Sequence, residues 1–287
     1  MNRTAPERIR APMRWAGPRT PGQPGSARLI RRGVPGVAVV SVAALCLVLM
    51  TPSEGDPVAL AAQVPEAAAT SFTGTPAVGT LFQDRHGKLS HFCTASVVDS
   101  PAGDLLLTAA HCMLGRSLTP AGTISFAPGY HNGESPYGRW IVRSVFTDSQ
   151  WKKDRNPADD FAFLIVGQAG RRIQLHTGAE TLDTGATLPR KVQVIGYPDS
   201  SNLPLSCNAT ARLVGPRHPD QEVFRCGGYT DGTSGGPFLA SVNAATGTGQ
   251  VLGAIGGYEE GGDKADVSYS SRFRAGIAAL YQTATAP

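Results

Sequence analysis

The chain has 287 residues, enough for one large domain or two small ones, and its 34 glycines and 22 prolines favour a loop-rich β protein over a helical one. The net charge of +4 belongs to the first 61 residues, which hold eight arginines against three acids; the rest has 18 basic and 19 acidic residues, a net of −1. That balance excludes the folded basic surface that nucleic-acid binding demands.

Residues 1–61 read as a leader. An Arg-, Pro- and Gly-rich start is followed by the uncharged run Val34–Met50, a positive n-region and an apolar h-region as in an export signal. The small residues of Ala59–Ala61 offer a cleavage site before Ala62. At 17 residues the apolar run also reaches the lower limit of a membrane-spanning helix, so an uncleaved signal anchor is the alternative. Arg31-Arg32 gives only weak support to a twin-arginine signal. Cleaved or anchored, the globular part is expected outside the cytoplasm. Cys46 falls within the apolar run and belongs to the leader, whereas Cys93, Cys112, Cys207 and Cys226 form an even set suited to two disulfides in an oxidising compartment.

Residues 62–75 are rich in Ala, Thr, Pro and Ser without periodicity, and read as a linker or short pro-segment before a domain over 76–287. Short β-type runs then recur between turn residues: AVGTLF, FCTASVV, LLLTAA, TISFAP, RWIVRSVFT, FAFLIV, KVQVIGY, ATARLVG, EVFRCG, GPFLAS and QVLGAIGG. Only SRFRAGIAALYQTA, near the C-terminus, repeats apolar residues at three- and four-residue steps and predicts a helix. Many short strands without βαβ alternation predict an all-β sandwich or barrel with one C-terminal helix.

Three segments carry the elements of serine chemistry, which needs a hydroxyl nucleophile, an imidazole to take its proton and a carboxylate to hold that imidazole. Ser234 stands among Gly232, Gly235 and Gly236, where the backbone can bend sharply and leave the amides of Gly232 and Ser234 as oxyanion donors. His111 leaves an apolar run in LLLTAAHC. Asp160 precedes the apolar run FAFLIV, with Asp159 beside it as an alternative that spacing alone leaves open. A metal site made of His91, Cys93, His111 and Cys112 matches none of the usual zinc spacings.

In the order His, Asp, Ser, the blocks LTAAHC, DFAFL and DGTSGGP resemble those of the chymotrypsin-fold serine proteases. VIGYP, Val194 to Pro198, is similar to the bacterial secreted branch that includes glutamyl endopeptidases. The resemblance spans about residues 76–283. It implies two six-stranded antiparallel β-barrels with the site in the cleft between them. It further implies that His111 is the general base, Asp160 its orienting acid, Ser234 the nucleophile, and Cys93–Cys112 and Cys207–Cys226 the disulfides. The expected activity is that of a serine endopeptidase acting on proteins or peptides without a cofactor or metal, and nothing requires more than a monomer. The alternative is a protease fold kept as a binding module.

Two departures stand out. Thr233 occupies the place where animal digestive enzymes carry the aspartate that pairs with a new N-terminus. Gly228 stands where trypsin-like enzymes carry their specificity acid. The resemblance assigns the S1 pocket to Gly228, Tyr229, Gly256, Gly257 and Tyr258, beside the acidic loop YEEGGDKAD, in which Asp266 is the expected neighbour of the pocket wall.

Overall fold

The computed structural model describes residues 67–85, 87–116, 118 and 123–287. The leader, its apolar run, its cleavage site and Cys46 lie outside the described residues. Among the described residues no helix is long and apolar enough to cross a membrane.

The strands run in order as β1 (Thr70–Ser71), β2 (Val78–Arg85), β3 (Lys88–Val98), β4 (Leu105–Thr108), β5 (Ile124–Pro128), β6 (Trp140–Thr147) and β7 (Ala162–Gly167). They continue as β8 (Thr181–Leu182), β9 (Arg190–Gly196), β10 (Leu205–Gly215), β11 (His218–Arg225), β12 (Pro237–Ala240), β13 (Gln250–Ala254) and β14 (Val267–Ser271). The first barrel is closed, with order β2-β3-β4-β7-β6-β5. The second sheet has order β14-β11-β10-β9-β12-β13-β8, with β1 added to β10. The six expected strands β9 to β14 are all present, but β13 and β14 do not pair as a ladder: Ile255 bridges Ser270, Ala254 N–H donates to Ser270 Oγ at 2.9 Å and the Gly256 amide donates to Tyr269 O at 3.0 Å. The second sheet therefore curls into a barrel that an isolated bridge joins, and the closed ladder is that of the first barrel.

Strand periodicity explains why several runs are apolar on both faces. Leu106 points into the first barrel with Leu81, Phe126, Trp140 and Leu164, whereas Leu105 and Leu107 point outward. In β9 the same alternation sends Val192 and Val194 into the second barrel and Ile195 to the other side. The outward residues meet in one interbarrel core that contains Leu105, Leu107, Phe163, Ile195, Tyr197, Leu239 and Val251. Each such side chain contributes about 1.5–3 kcal/mol on burial, so the two barrels pack as one body.

The described residues include three α-helices, α1 (Ser149–Asp154), α2 (Gln174–Thr177) and α3 (Ala275–Ala284), besides short 3-10 turns. The C-terminal helix starts four residues later than its apolar period suggests. Ser271 is paired with Gln221 in β14, and the backbone at Arg274 is extended. Ile277, Leu280 and Ala284 dock α3 on the interbarrel core, and Tyr281 Oη donates to Asp99 O at 2.8 Å.

Residues 67–75, which composition marks as linker, are tied to the second sheet from their start. Ala69 N–H donates to Gly227 O, Gly227 N–H to Ala67 O, both at 2.8 Å, and β1 pairs with Leu205 and Ser206. The disulfides are Cys93–Cys112 and Cys207–Cys226, the pairs the resemblance implies.

Glu180 crosses the joint between the barrels. Its amide donates to Val97 O at 2.8 Å and its carbonyl accepts from Asp99 N–H at 2.9 Å, both in the first barrel's chain. Its side-chain Oε2 accepts from Gly249 N–H at 2.5 Å, just before β13, while Oε1 is buried with no hydrogen-bond partner among the described residues. Burial pushes this carboxyl up to about 8, and the Gly249 amide offsets only part of the effect. The folded chain holds this proton after the unfolded chain has released it, so stability falls as pH rises from the ordinary glutamate range towards 8. Glu180→Gln keeps an acceptor for Gly249 and removes the titration. Thermal unfolding at pH 5 and pH 8 should show the variant gaining about 3–4 kcal/mol relative to the wild type across that interval. A difference that does not change with pH would contradict the assignment.

Candidate active site

The apolar strand β4 ends at Thr108, and two buried alanines lead into a 3-10 turn over His111–Met113. Trp151 of α1 is buried against Ala110 and Ala162, so one indole supports both the histidine turn and the start of β7. The disulfide from Cys93 in β3 to Cys112 tethers the same turn. It also removes both sulfurs as thiolate ligands, and with them the four-residue metal set considered from the sequence.

Asp160 has no exposed side-chain surface and His111 has 10 %. Asp160 Oδ2 lies 2.8 Å from His111 Nδ1 and accepts from Gly257 N–H at 2.7 Å; Oδ1 accepts from His111 N–H at 2.8 Å. A carboxylate without water is costly to bury, and three N–H donors are what compensates it here. The neighbouring Asp159 is held elsewhere. It ends a short 3-10 turn, Pro157–Asp159, and accepts from Asn156 Nδ2 at 2.7 Å. Of the two acids that spacing left open, the one paired with His111 is Asp160.

The serine lies in a turn that leads into β12. Gly232 and Gly235 have φ of +90° and +81°, and a Cβ at Gly235 would come within 2.2 Å of Thr108 Oγ1 and Thr94 O. The amides of this turn alternate in use. Thr233 N–H donates to Thr230 O at 3.1 Å, Gly235 N–H to Ile255 O at 2.7 Å and Gly236 N–H to Thr233 O at 2.9 Å. Gly232 N–H and Ser234 N–H, among the described residues, have no internal acceptor. The Thr233 hydroxyl donates to Thr230 O at 2.7 Å, so the turn is closed from within at the position where the animal enzymes use a carboxylate.

His111 and Ser234 line one cavity of about 950 Å³, together with Phe92, Tyr229 and Ile255. No direct hydrogen bond joins the two side chains among the described residues. Of the residues expected at S1, Tyr229 lines this cavity, and its hydroxyl donates to Val194 O at 2.7 Å. Gly228 lies beside it, and both amides donate to Ala265 O, at 2.9 and 3.0 Å. Gly256, Gly257 and Tyr258 sit at the root of the acidic loop and are not in the cavity wall; Gly257 binds Asp160, and Tyr258 N–H donates to Gln221 Oε1 at 2.8 Å. The loop acids on the cavity are Glu259, Glu260 and Asp263, not Asp266, whose carbonyl instead accepts from Cys226 N–H at 3.0 Å. Glu259 and Glu260 take φ of +51° and +50°, a reversal that spacing along the sequence does not reveal.

Residues that sequence reasoning passed over hold these parts in place. Thr94, Thr108 and Gln221 are buried: Thr94 binds the backbone of the serine turn, Thr108 Oγ1 donates to Thr94 O, and Gln221 accepts from the amide that follows Gly257. Each reads in sequence as an ordinary polar strand residue.

Solved structures of similar fold include the protease Anisep from Arthrobacter nicotinovorans, 24% identical with a TM-score of 0.65, covering 77% of this chain and 100% of that one. The thermostable serine protease AL20 from an extremophilic microorganism is 23% identical with a TM-score of 0.63, covering 74% and 97% of the two chains. A Glu endopeptidase, 14% identical with a TM-score of 0.60, covers 78% and 99%. A search of curated proteins finds no match. The trypsin family matches residues 66–267, most of the chain and all three motif blocks. The chain belongs to the trypsin family, and its activity is that of a serine endopeptidase.

Proposed function

We propose that the enzyme hydrolyses peptide bonds through an acyl-enzyme, with Ser234 as nucleophile, His111 as general base and acid, and Asp160 as the group that orients the imidazole. The observation that carries this reading is the Asp160 carboxylate, which binds His111 Nδ1 at 2.8 Å on a cavity shared with Ser234. A proton held on Nδ1 by Asp160 leaves the Nε2 lone pair to accept the Ser234 proton. Ser234 Oγ then bonds to the scissile carbonyl carbon, and the C=O electron pair moves to oxygen. The amides of Gly232 and Ser234, which have no internal acceptor among the described residues, are the donors for that oxyanion. Collapse breaks the C–N bond as His111 returns the proton to the leaving amine. Water repeats the sequence on the ester and restores Ser234.

The substrates are proteins or peptides, and the enzyme works outside the cytoplasm, delivered by its leader either free or anchored. Two disulfides that cross-link strands and the histidine turn support an oxidising compartment. Ser234→Ala should abolish labelling by a fluorophosphonate and lower kcat/KM on a peptide substrate by about a thousandfold or more, with thermal stability unchanged. Labelling or turnover retained by that variant would overturn the assignment.

The self-closed Thr233 turn bears on activation. A carboxylate there would await a new N-terminal amine, but the Thr233 hydroxyl is already bound to Thr230 O. Chains that begin at Ala62, Val64 or Glu66 should therefore share one kcat/KM within about twofold, measured after active-site titration. A strict requirement for a single N-terminus would contradict this.

A further inference from the structure

Cys93 and Thr94 are neighbours in β3, and successive strand residues point to opposite sides. Cys93 is bonded to Cys112, the residue after His111. Thr94 reaches the other way, across to the second barrel. Its hydroxyl donates to Gly232 O at 3.0 Å and accepts from Tyr197 N–H at 2.8 Å. Its amide donates to Ser234 O at 2.7 Å, and its carbonyl accepts from Thr108 Oγ1 at 2.7 Å. Thr94 is fully buried and does not line the cavity.

We propose that Thr94 is a positioning residue for the nucleophile turn: its amide holds Ser234 O, and its hydroxyl holds the Gly232 peptide so that this oxyanion donor stays in register with Ser234. The proposal rests on the reading of Ser234 as nucleophile and of the Gly232 and Ser234 amides as donors. Both of those residues have their carbonyls bound by Thr94, which fixes the torsion between each donor amide and the peptide that follows. The constraint matters most at Gly232, where no Cβ restricts rotation and φ is +90°. A donor displaced by a fraction of an ångström stabilises the tetrahedral intermediate less, while substrate binding elsewhere in the cavity is unaffected. Because β3 also carries Cys93, one rigid dipeptide is tied to the histidine turn on one side and to the serine turn on the other. The strand acts as a spacer between base and nucleophile.

The test compares Thr94→Val, which keeps the shape and loses the hydroxyl, with Thr94→Ser, which keeps the hydroxyl. Activities are normalised by active-site titration, so that only folded, competent enzyme is counted. Thr94→Val should lower kcat by about 10- to 100-fold with KM within about threefold, and should weaken a peptidyl boronate, which forms a tetrahedral adduct on the serine, by a similar factor. Thr94→Ser should stay within about threefold of wild type in both. A purely structural threonine would lower the melting temperature and leave kcat and boronate affinity alone; that result overturns the proposal. So does a Thr94→Ser variant as impaired as Thr94→Val, because shape and not the hydroxyl would then matter. If Thr94→Val does not accumulate folded, Thr94→Ala is read in the same way. Ser234→Ala is the control: residual turnover there would mean that the nucleophile assignment has failed, whereas a dead Ser234→Ala beside a fully active Thr94→Val rejects Thr94 alone.

Discussion

A carboxylate with no exposed surface must be compensated from within, and at Asp160 that demand organises both barrels. Two of its donors, the His111 amide and ring, come from the turn after β4 in the first barrel; the third, Gly257 N–H, comes from the loop after β13 in the second. Losing any one leaves a buried charge short of a partner, a deficit of the order of 1–3 kcal/mol or more. The histidine turn, the acid and the root of the acidic loop are therefore fixed together or not at all. Gln221 extends the arrangement, because its buried amide oxygen accepts from Tyr258 N–H, the next amide after Gly257.

The serine turn is held in the reciprocal way. Ser234 belongs to the second barrel, yet its turn is bound by Thr94 of the first. Each barrel thus supplies part of the proposed triad and also groups that hold the part supplied by the other. The apolar joint between them makes this possible, since Leu107, Phe163, Ile195, Tyr197 and Leu239 form one core that prevents sliding. Buried Glu180 in the same joint is a cost that grows with pH, whereas the hydrogen bonds of Thr94 involve no titrating group.

The sequence made some of this legible and hid the rest for identifiable reasons. Serine chemistry needs a flexible turn around the nucleophile and a rigid exit before the base, so the blocks around Ser234, His111 and Asp160 stand out locally. The strands with apolar alternation were readable for the same reason that they form: one or both faces are buried. β14 was not, because VSYSS buries serines in place of hydrocarbon. Ser270 Oγ accepts from Ala254 N–H and Ser271 Oγ donates to Pro157 O, so these side chains are satisfied inside the fold while they look like loop residues in the sequence. Thr94 and Gln221 escaped notice because their importance lies in backbone groups that approach from distant parts of the chain. The acid expected at the cavity, Asp266, is not on its wall, whereas Asp263 is, in a loop that the consecutive left-handed residues Glu259 and Glu260 redirect.

His111 can take the proton of Ser234 only in the tautomer that Asp160 imposes on it. Nitrogen NMR of histidine-labelled enzyme, with His111 assigned by its loss in His111→Ala, reads that tautomer. At a pH where the ring is neutral, the proton should reside on Nδ1, with a downfield proton resonance that disappears in Asp160→Asn, and Nε2 should be bare. A neutral ring protonated on Nε2 would contradict the account, because His111 could not then accept the proton of Ser234.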